Sequence, residues 1–127
     1  MTTNDFNIAL SSAFKLNPIS ANEYEIKTTG TFPTGEELKI YLVKEGDSWF
    51  LTDKKNTLKY MNNVYDLKAT DVKSCISAVI KIYGFTITAG NLRAEIIDEV
   101  DFSSKILDYI MCIGQLTNMY VFFDQPE

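Results

Sequence analysis

The segment ELKIYLVKEGDSWFLTDKKNTLKYM, residues 37–61, contains two strands and the start of a helix. Leu38, Ile40 and Leu42 alternate with more polar residues, which is typical of a strand with one buried face. Gly46-Asp47 is a turn signal, so the chain is expected to reverse there and return through SWFLTD as a second strand. The segment therefore predicts a β-hairpin that runs directly into a helix.

The join between the second strand and the helix centres on Thr52 and Asp53. A hydroxyl or carboxylate at this point can accept hydrogen bonds from the free N–H groups of a helix start, and Asp53 also gains from the helix dipole. We interpret Asp53 as a structural cap. The alternatives are a charged contact surface formed by Asp53 with Lys54, Lys55 and Lys59, and a catalytic carboxylate.

The residues before this hairpin predict one more strand and a helix. NEYEIKTTG, residues 22–30, again alternates, so three strands form a meander in which Trp49 faces the buried side and Phe50 the other side. Residues 5–15 are predicted as an amphipathic helix that ends at Asn17-Pro18. Its apolar residues recur at helical spacing: Phe6, Ala9, Leu10, Ala13 and Phe14.

The residues after the hairpin predict helices at 53–62, from Thr70-Asp71 to Gly84, and at 102–119, with a second hairpin around Ala89-Gly90. The middle helix has an apolar stripe that we expect to lie against the sheet: Val72, Ile76, Val79 and Ile80. The fold class is therefore α+β in a single domain, residues 1–127. It is an antiparallel sheet of about five strands, a three-strand meander plus a hairpin, packed with helices in the order α-βββ-α-α-ββ-α.

The last helix carries more apolar surface than one sheet face requires. Ile106, Ile110 and Ile113 form one face, whereas Leu107 and Met111 form part of another. The segment that follows adds further candidates for contact with a partner: Met119, Tyr120, Phe122 and Phe123. Either this helix is wholly core or it is shared with another chain, and we predict a homodimer built around residues 102–123.

Composition excludes several classes of function. The 127-residue chain has a net charge of −5 and a single arginine, Arg93, so direct nucleic-acid binding is not expected. It has no histidine and no glycine-rich phosphate loop, and its cysteines, Cys75 and Cys112, are expected to be reduced and buried. We therefore expect no enzyme activity, no cofactor and no metal. With no signal peptide and no apolar run long enough to span a bilayer, a cytoplasmic protein without membrane contact is expected.

Several segments carry a family resemblance: FPTGEELKIYL, SWFLTDKKNTLKYM, KIYGFTITAGNL and the closing helix. In their order and spacing the chain resembles the domain of unknown function 1828 family, small bacterial and phage-associated proteins, over roughly residues 8–122. That family typically has glycine two residues after the aspartate of LTD, where this chain has Lys55. The resemblance implies a similar architecture and a mobile-element context, but no reaction.

The sequence favours a non-catalytic protein-binding module, an inhibitor or adaptor from a phage or other mobile element. An acidic decoy that mimics nucleic acid is one alternative. Another is a dimeric protein like the type III secretion chaperones, which are also small acidic α/β proteins, although that is an analogy of fold alone.

Overall fold

The computed structural model describes residues 14–28 and 30–119, and within them the fold is α+β, as predicted. A six-stranded antiparallel sheet packs with three helices, so these residues form one strand more than expected. The strands are β1 (Lys15–Ser20), β2 (Glu23–Lys27), β3 (Ile40–Glu45), β4 (Ser48–Thr52), β5 (Thr86–Thr88) and β6 (Asn91–Ile96). The helices are α1 (Asn56–Asn62), α2 (Thr70–Tyr83) and α3 (Phe102–Thr117), and a short 3-10 helix, Glu99–Asp101, precedes α3.

The sheet is a four-strand meander extended by a hairpin, in the order β1-β2-β3-β4-β6-β5. Its register places Tyr24, Leu42, Leu51 and Ala94 side by side across β2, β3, β4 and β6. All four are buried, so the row marks the face that turns towards the core. Trp49 shares this face and is buried, whereas Phe50 lies on the opposite face, and both placements agree with the prediction.

The additional strand, β1, corrects the expectation for the N-terminal part of the chain. Residues 5–13 of the predicted helix lie outside the described residues, but Lys15 already belongs to β1. The expected break at Asn17-Pro18 lies inside this strand. Proline is tolerated because β1 is an edge strand and its pairing with β2 shifts register between Pro18 and Ser20.

The helices pack in two layers. α3 lies in the core, with Phe102, Ile106, Tyr109 and Leu116 all buried, and both α1 and α3 contact β6. The expectation that the apolar stripe of α2 lies against the sheet is wrong, because α2 packs mainly on α3. The face next to the sheet is already occupied by α3, so most of the α2 stripe is only half-buried.

Local signals fix the ends of the elements. Gly84 ends α2 in the left-handed conformation, with φ 71°, and its N–H donates to carbonyls of the last turn. Cys112 and Cys75 are free thiols, the first buried and the second half-buried. Burial, with a smaller effect from the charge of Asp53, raises the pKa of Cys112 to about 12. No helix within the described residues is long and apolar enough to cross a membrane.

Candidate functional site

An apolar groove of about 660 Å³ lies between α2 and α3. Four of its lining residues belong to α2 and four to α3 or its C-terminal cap, and Met119 follows directly. None of the nine is an acidic or basic residue: Cys75, Ala78, Val79, Ile82, Met111, Gly114, Gln115, Asn118 and Met119. We call this surface the α2–α3 groove. An uncharged concave surface of this size between two helices is suited to receiving apolar side chains.

The α2–α3 groove is lined by small residues and by exposed apolar side chains. Ala78 and Gly114 are its smallest lining residues, and a Cβ atom added at Gly114 would meet no other atom within 4 Å. The lining residues Ile82 and Met111 are 74% and 56% exposed. Leu107, one helical turn before Met111, is 52% exposed. The surface therefore offers both an apolar cavity and apolar side chains that could fill another.

The residues predicted to contact a partner do not all lie on this surface. Leu107 and Met111 are exposed, whereas Met119 is buried and lines the α2–α3 groove without projecting from it. Three others lie outside the described residues: Tyr120, Phe122 and Phe123. The sequence pattern does not identify Ile82 as exposed. Helical spacing does not show whether an apolar residue near the end of a helix is covered by another element.

Asp53 is a buried cap, as interpreted from the sequence, and its side chain is only 2% exposed. One carboxylate oxygen accepts the N–H of Lys55 at 3.1 Å, and the other accepts the N–H of Thr57 at 2.7 Å. The helix itself begins at Asn56 rather than at residue 53. Because the carboxylate is sealed in the core, the alternative of a charged contact surface containing Asp53 is wrong.

The carboxylate of Asp53 lies in an environment that disfavours its charge. Burial raises its pKa above the usual range, and the hydrogen bonds from Thr57 and Lys55 offset part of that effect. Burial also raises the pKa of the Tyr109 phenol, with a smaller contribution from the charge of Asp53. The Tyr109 hydroxyl donates a 2.6 Å hydrogen bond to the Leu92 carbonyl, which ties α3 to β6. These buried polar groups hold elements together.

Lys54 and Lys55 form the tight turn between β4 and α1. Both have positive φ angles, 53° and 70°, and the Asn56 N–H donates to the Asp53 carbonyl across the turn. Such a left-handed pair is favourable for Asn-Gly and costs energy in residues with a Cβ atom. At Lys55 the backbone has a conformation that glycine would adopt without strain.

The Lys55→Gly substitution is expected to raise the free energy of unfolding by roughly 0.5–1 kcal/mol, because it removes the left-handed penalty. The same substitution at Lys59, inside α1 and without a positive φ, should lower it by about 1 kcal/mol. Urea denaturation of both variants checks the pair. Destabilisation by both substitutions would show that the turn is not strained.

The face of the sheet turned away from the core, which we call the open sheet face, carries aromatic rings covered by cations. The Lys54 amine lies 4.1 Å from the ring centre of Tyr41, and the Arg93 guanidinium carbon lies 3.9 Å from that of Phe50. Each cation also forms an ion pair with a carboxylate, and the distance from Lys54 Nζ to Glu23 Oε1 is 2.6 Å. Lys54 therefore faces the sheet rather than joining a lysine cluster on α1.

Several glutamates of the open sheet face are neutralised by neighbouring cations. Besides the pair of Lys54 and Glu23, Arg93 lies 2.7 Å from Glu45, and Lys27 lies 3.0 Å from Glu25. A decoy of nucleic acid needs a row of uncompensated negative charges. The pairing of these three glutamates gives such a role no support on this face.

Comparison of the chain with models of protein families, with curated proteins and with solved structures finds no match. The resemblance to the domain of unknown function 1828 family therefore stays a prediction from sequence. Among the described residues, no three Cys, Asp or Glu side chains are grouped so as to hold a metal ion.

Proposed function

We propose that this protein is a non-catalytic protein-binding module that acts as a homodimer, with the α2–α3 groove as the contact between the two copies. The observation that carries the proposal is the exposure of Ile82, Leu107 and Met111 around an uncharged groove. Exposed apolar side chains that cluster in this way are typical of protein interfaces.

A second copy of the chain is the occupant that this surface fits best. A two-fold axis brings the same surface of both chains together, so projecting side chains of one copy meet the cavity of the other. Met111 is 56% exposed, and Gly114 leaves room for a side chain, because an added Cβ atom there would meet no other atom within 4 Å. The net charge of −5 on each chain opposes association, but the groove lining contributes no acidic residue to that repulsion.

The biological role that accompanies this interface is an inhibitor or adaptor of a phage or other mobile element. The support for this role is the family resemblance of the sequence and the absence of histidine from the chain. The burial of Asp53, for which the sequence left a catalytic role only as an alternative, is in keeping with a module that works by binding.

Met111→Glu is expected to weaken self-association by at least about tenfold, because it places a carboxylate in an apolar contact. Sedimentation equilibrium from low-micromolar to submillimolar concentration measures the effect against wild type. Val64→Glu is the matched control, since Val64 is 48% exposed and does not line the groove.

The wild type and Val64→Glu should associate alike, and Met111→Glu should remain monomeric over most of that range. A wild-type chain that is monomeric throughout would refute the homodimer. Equal association by Met111→Glu and Val64→Glu would place the interface elsewhere.

A further inference from the structure

The open sheet face contains a hollow of about 390 Å³ where β3, β4 and β6 meet the turn between β5 and β6. Val43, Phe50 and Thr52 contribute to its surface from the strands, and Ala89 and Asn91 bound it at the turn. The volume is within the range of small-molecule sites, roughly 300–1,000 Å³. This hollow is separate from the α2–α3 groove and shares no lining residue with it.

The hollow is lined by two ion pairs, each of which joins one cation to one carboxylate. Lys54 pairs with Glu23, and Arg93 pairs with Glu45. Both cations are fixed over aromatic rings, and the Arg93 side chain is only 21% exposed. Because the cations are already held in place, a ligand that meets them does not need to order flexible side chains.

Each pair retains capacity for a ligand. Arg93 donates to Glu45 through one nitrogen, Nη2, whereas a guanidinium has several further N–H donors in a planar fork that suits a carboxylate. The Glu45 side chain is 59% exposed, so it can turn to accept a hydrogen bond from an ammonium group. Val43 and the part of Phe50 that lines the hollow offer apolar surface for a hydrocarbon side chain.

Residues with a left-handed backbone conformation border the same hollow. The described residues contain three non-glycine positions with positive φ: Lys54, Lys55 and Ala89, the last with φ 51°. Lys54 and Ala89 line the hollow. The side chain of Lys55 lies against Gly90, where an added Cβ would be 3.6 Å from Lys55 Cδ. Strained residues of this kind concentrate at ligand sites, where the surrounding structure holds them in place.

We propose that the hollow binds a small zwitterion, a free apolar amino acid in its simplest form. The ligand carboxylate would lie on Arg93, its ammonium group on Glu45, and its side chain on Val43 and Phe50. A ligand with both charges matches the equal number of cations and carboxylates, whereas a simple anion would meet the repulsion of both glutamates. This inference stands without the homodimer.

Titration of the ¹⁵N-labelled full chain with leucine, valine, methionine and phenylalanine, each alone, tests the proposal by amide chemical shifts. Saturable shifts at Thr52, Lys54, Ala89, Asn91 and Arg93, with millimolar affinity, are the expected result for at least one amino acid. N-acetyl-leucine lacks the ammonium group and leucinamide lacks the carboxylate, so both should bind at least about tenfold more weakly than leucine.

Variants separate binding in the hollow from general effects on the face. Arg93→Gln and Glu45→Gln should each lower the affinity by about tenfold or more, because each removes one charge-assisted contact. Lys27→Gln breaks the third ion pair of the same face, outside the hollow, and should leave the affinity unchanged. No saturable shift with any of the four amino acids would overturn the proposal. If N-acetyl-leucine or leucinamide bound as tightly as leucine, the ligand class would not be a zwitterion.

Discussion

Ile106→Ala is expected to lower the free energy of unfolding by about 2–5 kcal/mol, the usual cost of removing a large side chain from a packed core. Ile106 is fully buried on α3, in the layer between the sheet and α2. The alanine variant would therefore contain a cavity, because a packed core relaxes only partly around a lost side chain.

Ile76→Ala is the matched comparison, since the same atoms are removed from the neighbouring helix. Ile76 is half-buried on α2, so we expect a loss of only about 1 kcal/mol. Chemical denaturation of both variants measures the difference. Equal losses, or a larger loss at Ile76, would contradict the placement of α3 inside and α2 outside.

Asp53→Ala is expected to cost about 2–3 kcal/mol, because the Lys55 and Thr57 N–H groups both lose their acceptor. Asp53→Asn should cost about 1 kcal/mol at neutral pH, since the amide has one acceptor oxygen and its NH₂ group must face the second donor. Denaturation of the two variants beside wild type gives these values. A negligible loss in Asp53→Ala would show that the cap is not needed.

The pH dependence of the same variants follows from the burial of Asp53. Its pKa is raised in the folded state, so the folded chain holds this proton more tightly than the unfolded chain does. Stability from this group is therefore greatest below the unfolded pKa, about 3.9, and falls as pH rises through the folded pKa. The stability of wild type relative to Asp53→Asn should decrease with pH across that window. An increase in this relative stability with pH would show that the pKa of Asp53 is lowered, not raised, in the folded state.

Local signals in the sequence were sufficient for most element boundaries. The sequence predicts α2 from Thr70-Asp71 to Gly84, and the helix spans Thr70–Tyr83; its end is predicted closely because a left-handed glycine is a local feature. The sequence does not predict β1, since the apolar spacing of residues 5–15 indicates a helix and Asn17-Pro18 a break, and only the neighbouring β2 makes the segment a strand.

The surfaces were less predictable because they depend on which elements meet. Helical spacing shows that Ile76 and Val79 share a face, but it does not say whether that face covers a sheet or another helix. The pairs of Lys54 with Glu23 and Arg93 with Glu45 join residues far apart in sequence, and only the folded chain brings them together. The position of Asp53 in the sequence predicts a cap. It does not predict that both carboxylate oxygens accept hydrogen bonds, which only the structure shows.

The most direct test of the proposed interface is the dissociation constant of the dimer, measured by sedimentation equilibrium for wild type and for Gly114→Ala. Alanine in place of a helical glycine should stabilise the single chain by about 0.5–1 kcal/mol, and the added methyl group meets open space within the chain. In the dimer the same methyl group would fill space in the groove that the proposal gives to the partner, so association should weaken by about tenfold. An unchanged or tighter association of Gly114→Ala, or a wild-type chain that does not associate, would contradict the assignment of the α2–α3 groove.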